Sequence, residues 1–128
     1  MALVNLTQHE VVVYNDDEVV YRIPPSIEGG LKVAQEDEFK FFIRRWLPVV
    51  KSTWGELTPN PHTISCVEEG DSVIVSTITS QCPEFQKWAK EMKLKVYVPN
   101  TGPSPHWGGV RDNSGHIIGV RSLKQVFF

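Results

Sequence analysis

Only one stretch of this chain, Thr77 to Lys93, carries apolar residues at helical spacing, and that confines the fold more than any other feature. Ile78, Cys82, Phe85, Ala89 and Met92 recur at four, three, four and three residues, which puts them on one face, while Lys87 and Lys90 lie off it. Pro83 interrupts the pattern. The spacing therefore predicts a short turn from Thr77 and a better helix with Pro83 as its first residue, where the missing N–H is no loss. The apolar face is expected to be core.

Elsewhere the patterning is that of β structure. Val11-Val12-Val13-Tyr14 and Val19-Val20-Tyr21-Arg22-Ile23 flank Asn15-Asp16-Asp17, a hairpin signal. Pro24-Pro25-Ser26 ends the pairing, and Gly29-Gly30 turns the chain into Leu31-Lys32-Val33-Ala34. Phe39 to Trp46 and Leu47 to Thr53 both read as extended, with Pro48 at an edge or start. Trp54-Gly55-Glu56-Leu57, running into Thr58-Pro59-Asn60-Pro61, reads as turn and loop. A second hairpin is expected from Thr63–Val67 and Val73–Ser76 around Glu68-Glu69-Gly70-Asp71. Leu94 to Val98 returns to strand, and Val110 pairs with His116–Val120 through the turn Asp112-Asn113-Ser114-Gly115. These signals describe an α+β protein, a single compact domain over residues 1–128, built mainly of antiparallel hairpins with one principal helix near residues 77–93.

With 128 residues, 41% of them hydrophobic, the chain is long enough to bury a core without disulfides. A net charge of −2 supplies no field for a polyanion, and the only basic doublet of note is Arg44-Arg45, so long nucleic acid is not an expected partner. The sequence has neither a leader-like start nor an apolar run of the roughly 18 residues that a membrane span needs, so a cytoplasmic protein without membrane contact is expected. Cys66 and Cys82 lie in apolar surroundings without Cys-x-x-Cys spacing and are expected to be buried, reduced and structural. Four tryptophans, the Phe39 to Trp46 stretch and the final Val126-Phe127-Phe128 are more large apolar groups than so small a core covers, so a homo-oligomer is expected.

Candidate site residues gather toward the end of the chain. The Pro99-Asn100-Thr101-Gly102-Pro103 loop is conformationally restricted and presents polar groups at little entropic cost. Arg111 and Arg121 flank the final hairpin; facing each other across it, they would clamp a phosphate or carboxylate. The plainer reading pairs Arg111 with Asp112 and lays Arg121 over an aromatic ring. Ser76 ends an apolar strand just before the helical region and is either a helix cap or a ligand contact; no Gly-x-Ser-x-Gly pattern makes it a nucleophile. His9 follows Thr7 and Gln8 in a polar cluster between apolar strands, readable as a hydrogen-bond network or as part of a site. Trp54, Trp107 and Tyr97 are the aromatics available for stacking on a base. The histidines at 9, 62, 106 and 116 lack His-x-x-x-His spacing, and only His62 with Cys66 suits a metal pair, so neither metal nor cofactor is expected.

Asn5-Leu6-Thr7-Gln8-His9-Glu10-Val11, Ile23-Pro24-Pro25-Ser26, Ile74-Val75-Ser76, Pro99 to Pro103 and Val110-Arg111-Asp112 to Gly119-Val120-Arg121 occur in an order that spans nearly the whole chain. Together they resemble a family of small uncharacterised proteins of bacteria and their phages, which open Asn-Leu-Thr-Pro-His-x-Val and close Val-Arg-Asp-x-x-Gly-x-Ile-x-Gly. Gln8 stands where that pattern has proline, and Asn100 where it has aspartate, so a general base at that position is lost. The resemblance implies a phage or prophage setting and a host bacterial cytoplasm, but no reaction. By analogy of setting, it points to proteins that sequester nucleotide immune signals as counter-defence.

The leading expectation is thus a non-catalytic protein that captures a small nucleotide-like, phosphate-bearing ligand. Arg111 and Arg121 would hold the phosphate, Asn100, Thr101, Ser76 and His9 the polar groups, and Trp54 or Trp107 a base. One alternative is a metal-independent hydrolase or phosphodiesterase using His9 or His106 as acid and base. The other is a protein that blocks a host factor through Trp46, Trp54 and its edge strands.

Overall fold

β1 (Leu3–Asn5) does not pair with its sequence neighbours but lies parallel to β6 (Ser72–Ile74), some seventy residues away. The computed structural model describes residues 2–128. On its other side β6 pairs in parallel with β7 (Lys95–Pro99), and β10 (Leu123–Val126) closes that sheet antiparallel to β7. A second sheet has the order β3-β2-β9-β8, in which β2 (Val11–Asn15) and β3 (Glu18–Ile23) form the first expected hairpin and β8 (Gly109–Arg111) and β9 (Ile117–Val120) the last. β2 and β9 run parallel and meet at Val13 and Val120. β4 (Lys32–Arg44) and β5 (Leu47–Thr58) make a two-stranded ribbon of their own. The architecture is α+β, with mixed as well as antiparallel sheets.

The helical stretch breaks where its proline requires. α1 (Thr77–Gln81) is capped by the Ser76 hydroxyl, which accepts from the Thr79 N–H at 3.2 Å, and α2 (Pro83–Glu91) starts on Pro83. Cys82, Phe85 and Ala89 are buried and Met92 is half-buried, but Ile78 is 48% exposed and Trp88 takes a place in the core instead. The break at Cys82 explains the exchange, because two short helices with separate axes do not share one continuous face.

Three further expectations are corrected. Thr63–Val67 forms no strand: a 3-10 turn at Pro61–Thr63 is followed by irregular chain, and β6 spends its pairing capacity on β1 and β7 rather than on a local hairpin. Trp54 to Leu57 is not loop but part of β5, held in register by Gln35 and Val33 of β4, so tertiary pairing overrides the glycine at 55. Cys66 is exposed because its segment is irregular surface chain, whereas Cys82 is buried.

The main core lies between the β1-β6-β7-β10 sheet and α2, around Leu6, Leu31, Leu57, Val73, Val75, Phe85 and Val96. A smaller cluster of Val11, Ile74 and Val120, flanked by Val13, Ile23 and Leu123, joins the two four-stranded sheets. The start of the chain is fastened by Asp71, a buried carboxylate that accepts from the N–H groups of Glu68 at 2.9 Å and Ala2 at 3.0 Å. These backbone donors, that of Glu68 foremost, hold its pKa below the ordinary aspartate value even though burial opposes them.

A candidate ligand cavity at the ends of three parallel strands

Because β1, β6 and β7 run in the same direction, the chain leaves all three at one edge of the sheet. The residues that follow are polar: Thr7 and His9 after β1, Ser76 and Thr77 after β6, and Thr101 just beyond Pro99, the end of β7. With Glu10 they line one side of a cavity of about 340 Å³, whose opposite wall is Val11 and Val12 of β2 and Ile117 to Val120 of β9. Crevices outside the carboxyl ends of parallel strands are the usual ligand sites of such sheets, and the volume falls at the lower end of small-molecule pockets, about 300–1,000 Å³.

Asn5, fully buried at the end of β1, shapes the polar side. Its Nδ2 donates to the carbonyls of Ile23 at 2.8 Å and His9 at 3.0 Å, and its Oδ1 accepts from the Thr7 N–H at 2.9 Å. The Thr7 hydroxyl lies 2.6 Å from Asn5 Oδ1 and 2.8 Å from the His9 carbonyl, so it can donate to either. Gly30 is the backing of this loop. With a φ of 67° and an absent Cβ that would sit 2.5 Å from the Thr7 carbonyl carbon, it lets the chain that leads into β4 press against the Thr7–Gln8 peptide.

At the next strand end, Ser76 is committed to capping. Its Oγ accepts from the Thr79 N–H and donates to Thr79 Oγ1 at 2.9 Å, and Thr79 Oγ1 in turn donates to the Leu31 carbonyl at 3.3 Å. Asn100 organises the third strand end without lining the cavity. Its Oδ1 accepts from the Gly102 N–H at 3.1 Å, and its Nδ2 donates to Ser122 Oγ at 3.1 Å. The loop then folds back on itself at Gly108, where a Cβ would collide with the Gly102 carbonyl oxygen. On the apolar wall, Gly119 is similarly in contact with the Tyr14 ring.

Of the residues singled out from sequence, His9, Ser76 and Thr101 are therefore brought together, and Asn100 stands behind them. Arg111 and Arg121 do not face each other. Arg111 is opposite Ile117 near the turn and donates to the Gly115 carbonyl at 2.7 Å; Arg121 sits at the other end of the hairpin, where its N–H donates to the Gly108 carbonyl and its guanidinium to the Gly109 carbonyl at 3.1 Å. The turn closes directly after Arg111, through Asp112 to His116, so Arg111 pairs at the turn end of the hairpin while Arg121 lies just past β9 at the other end. Trp54 packs half-buried on the main core, and Trp107, 65% exposed, stands in the 99–109 loop; neither lines the cavity. His106 also lies outside it, as do His62 and Cys66, and among the described residues no three His, Cys, Asp or Glu side chains gather as a metal would need.

Sequence reasoning missed the apolar wall. Val11, Val12, Ile117 and Ile118 read as ordinary strand residues, and nothing in their local pattern shows that one edge of their sheet covers the ends of another. No lysine or arginine lines the cavity, and its one carboxylate, Glu10, accepts from Arg22 at 3.0 Å. Comparison with protein-family models, curated proteins and solved structures found no match to this chain.

Proposed function

We infer that this protein binds a small nucleotide-like ligand without transforming it. The observation that carries this reading is the convergence of Thr7, His9, Ser76, Thr77 and Thr101 at the ends of three parallel strands, opposite an apolar wall. A wall of Val11, Val12, Ile117 and Ile118 suits the flat face of a base, and a rim of hydroxyls and imidazole suits sugar and phosphoryl oxygens. The absence of a cation from the lining favours a ligand of low charge, at most a monophosphate, over a polyphosphate. Capture of such a molecule fits the counter-defence setting implied by the sequence resemblance.

The bonding of the rim favours binding over catalysis. The Ser76 proton is used within the helix cap, and Glu10, the carboxylate nearest His9 in sequence, is engaged by Arg22, so neither an activated hydroxyl nor a free carboxylate–imidazole pair is assembled. The deciding experiment incubates the protein with nucleosides, nucleoside monophosphates and cyclic dinucleotides, measures thermal shift and calorimetric affinity, then denatures the complex and identifies the released compound. Intact recovery of a bound mononucleotide supports the reading. An altered compound makes the protein an enzyme, and binding of none of the panel rejects the ligand class. Arg111→Ala and Arg121→Ala discriminate further: binding in the cavity alone leaves affinity within about twofold, whereas an anion clamp loses roughly 1.5–3 kcal/mol, the worth of hydrogen bonds to charged groups.

A further inference from the structure

The β4–β5 ribbon leaves the core soon after Val33 and Leu57, and from Gln35 outward almost all of it is solvent-exposed. Its end has a composition of its own: every residue from Phe39 to Val50 is apolar or cationic, whereas Glu36, Asp37 and Glu38 gather just behind it. Cross-strand register divides the apolar groups between both faces. Phe39, Phe42 and Val50 lie on one, where the two phenyl rings stand 5.0 Å apart, and Phe41 and Leu47 lie on the other. All five are at least half exposed, and at the turn Trp46, with a φ of 68°, is 81% exposed. Of the three cations, Lys40 reaches back to Glu38 at 3.5 Å. Arg44 and Arg45 form no ion pair among the described residues, and Arg45 lies over the Trp46 ring at 5.7 Å.

Apolar groups on both faces of a two-stranded ribbon are not covered by a flat partner, since one surface meets one face at a time. A further strand is no better placed: bulges at Phe39–Phe41 and Phe42–Arg44 break the edge of β4, and Pro48 takes an N–H away from β5. The occupant that fits surrounds the end, brings negative charge to Arg44 and Arg45, and asks for no hydrogen bonds from neutral side chains, because Phe39 to Val50 contains no serine, threonine, asparagine or glutamine. A protein cleft ordinarily forms such bonds, about one per 100–200 Å². Nucleic-acid phosphates would leave Ile43, Leu47 and Val50 without an apolar partner. We propose that the end of the ribbon docks shallowly into the headgroup layer of an anionic lipid membrane, with Phe41, Phe42, Ile43, Trp46 and Leu47 at the acyl boundary and Arg44 and Arg45 on the lipid phosphates. From Val50 to Leu47, β5 advances about 10 Å, which matches the roughly 5–10 Å depth that interfacial apolar groups reach. Deeper entry is opposed by the unpaired outer edges of both strands, which hydrocarbon does not satisfy, and by Glu36, Asp37 and Glu38, which an anionic leaflet repels. The expectation of no membrane contact rested on spanning length; among the described residues no helix is long and apolar enough to cross a membrane, and a dipping ribbon needs none. This docking does not depend on what the cavity binds.

Vesicle binding tests it. The full chain is expected to sediment with vesicles of equal parts phosphatidylcholine and phosphatidylserine at least tenfold more strongly than with phosphatidylcholine alone, and to be released as salt rises. At about fivefold per basic residue near an anionic surface, Arg44→Gln with Arg45→Gln should weaken binding at least tenfold. The two faces give the sharper readout. Phe39→Ser with Phe42→Ser and, separately, Phe41→Ser with Leu47→Ser should each weaken binding at least tenfold, because an inserted end buries both faces. Tryptophan emission should shift to the blue when the parent protein binds, and Trp46→Phe should lose that shift. These positions are exposed, so unchanged circular dichroism and melting temperature are expected in every variant. No vesicle binding, equal binding to the two compositions, or sensitivity to one face only would each overturn the proposal, the last by assigning the ribbon to a single flat partner. Retardation of single-stranded DNA by a parent protein that leaves vesicles unbound would also overturn it, giving the arginines to a nucleic acid.

Discussion

The Asn5 carboxamide holds the Thr7 N–H at 2.9 Å while bonding the Ile23 carbonyl at 2.8 Å, so one buried side chain joins the end of β1, the cavity rim and the end of β3. Asn5→Ala removes the partner of the Thr7 N–H and of the Ile23 carbonyl, while the His9 carbonyl keeps the Thr7 hydroxyl. At about 1–3 kcal/mol per buried group left unsatisfied, a loss of at least about 2 kcal/mol is expected in urea unfolding. Asn5→Asp keeps the acceptor but turns both donors into repulsion against the Ile23 and His9 carbonyls, and should be no milder. Equal stability of Asn5→Asp and the parent protein would show that the donor half of the network is dispensable.

Neighbouring glycines should differ sharply. Gly29 and Gly30 both have positive φ, but a Cβ at Gly29 meets open space, whereas one at Gly30 meets the Thr7–Gln8 peptide. Gly29→Ala is expected to cost only the left-handed backbone penalty of about 1–2 kcal/mol. Gly30→Ala adds displacement of the rim loop, and chemical shifts of Thr7 and His9 should move only in that variant. Indistinguishable melting temperatures would remove the packing argument for Gly30.

Asp71 predicts an acid-labile start to the chain. Its folded-state pKa is depressed, so its contribution to stability is complete above the unfolded value of about 4 and is lost as pH falls from there through the lower folded value. Asp71→Asn should therefore be less stable than the parent at neutral pH, with the gap narrowing below about pH 4. A gap that stays constant across that range would mean that the charge is irrelevant and only the shape matters.

The two thiols should separate under a thiol reagent. Cys66 is exposed and Cys82 is in the core, so native protein is expected to take up one equivalent of Ellman's reagent quickly and the second only on unfolding. Cys66→Ser should abolish the fast phase without changing stability by more than about 0.5 kcal/mol, the usual range at such surface positions. Two fast equivalents would place Cys82 at the surface or show that its helix opens readily.

Filling the cavity should separate binding from folding. Ile118 lies on the apolar wall and is 45% exposed, so Ile118→Trp places a large side chain in the cavity with little cost to the core. Affinity for the best-bound nucleoside monophosphate should fall at least tenfold with the melting temperature retained. Unchanged affinity would move the ligand elsewhere on the protein.

Local chemistry alone determined much of the architecture. The hairpins Val11–Ile23 and Val110–Val120 follow from β-branched runs around turn formers, and the start of α2 at Pro83 and the Ser76 cap follow from what proline and serine do at helix starts. His9, Ser76 and Thr101 stood out because polar groups beside apolar strands invite a role. Tertiary structure decided what those groups face. Parallel pairing of Leu3–Asn5 with Ser72–Ile74 leaves no local turn signal, since its partners are some seventy residues apart, yet it brings three polar strand ends to one edge. The same non-local pairing draws Ser72–Ile74 out of an expected hairpin, and in the last hairpin the turn that follows Arg111 directly sets it opposite Ile117, at the far end from Arg121. Periodicity reports which face of an element is apolar; which other element that face meets is set by long-range packing, and the cavity exists only there.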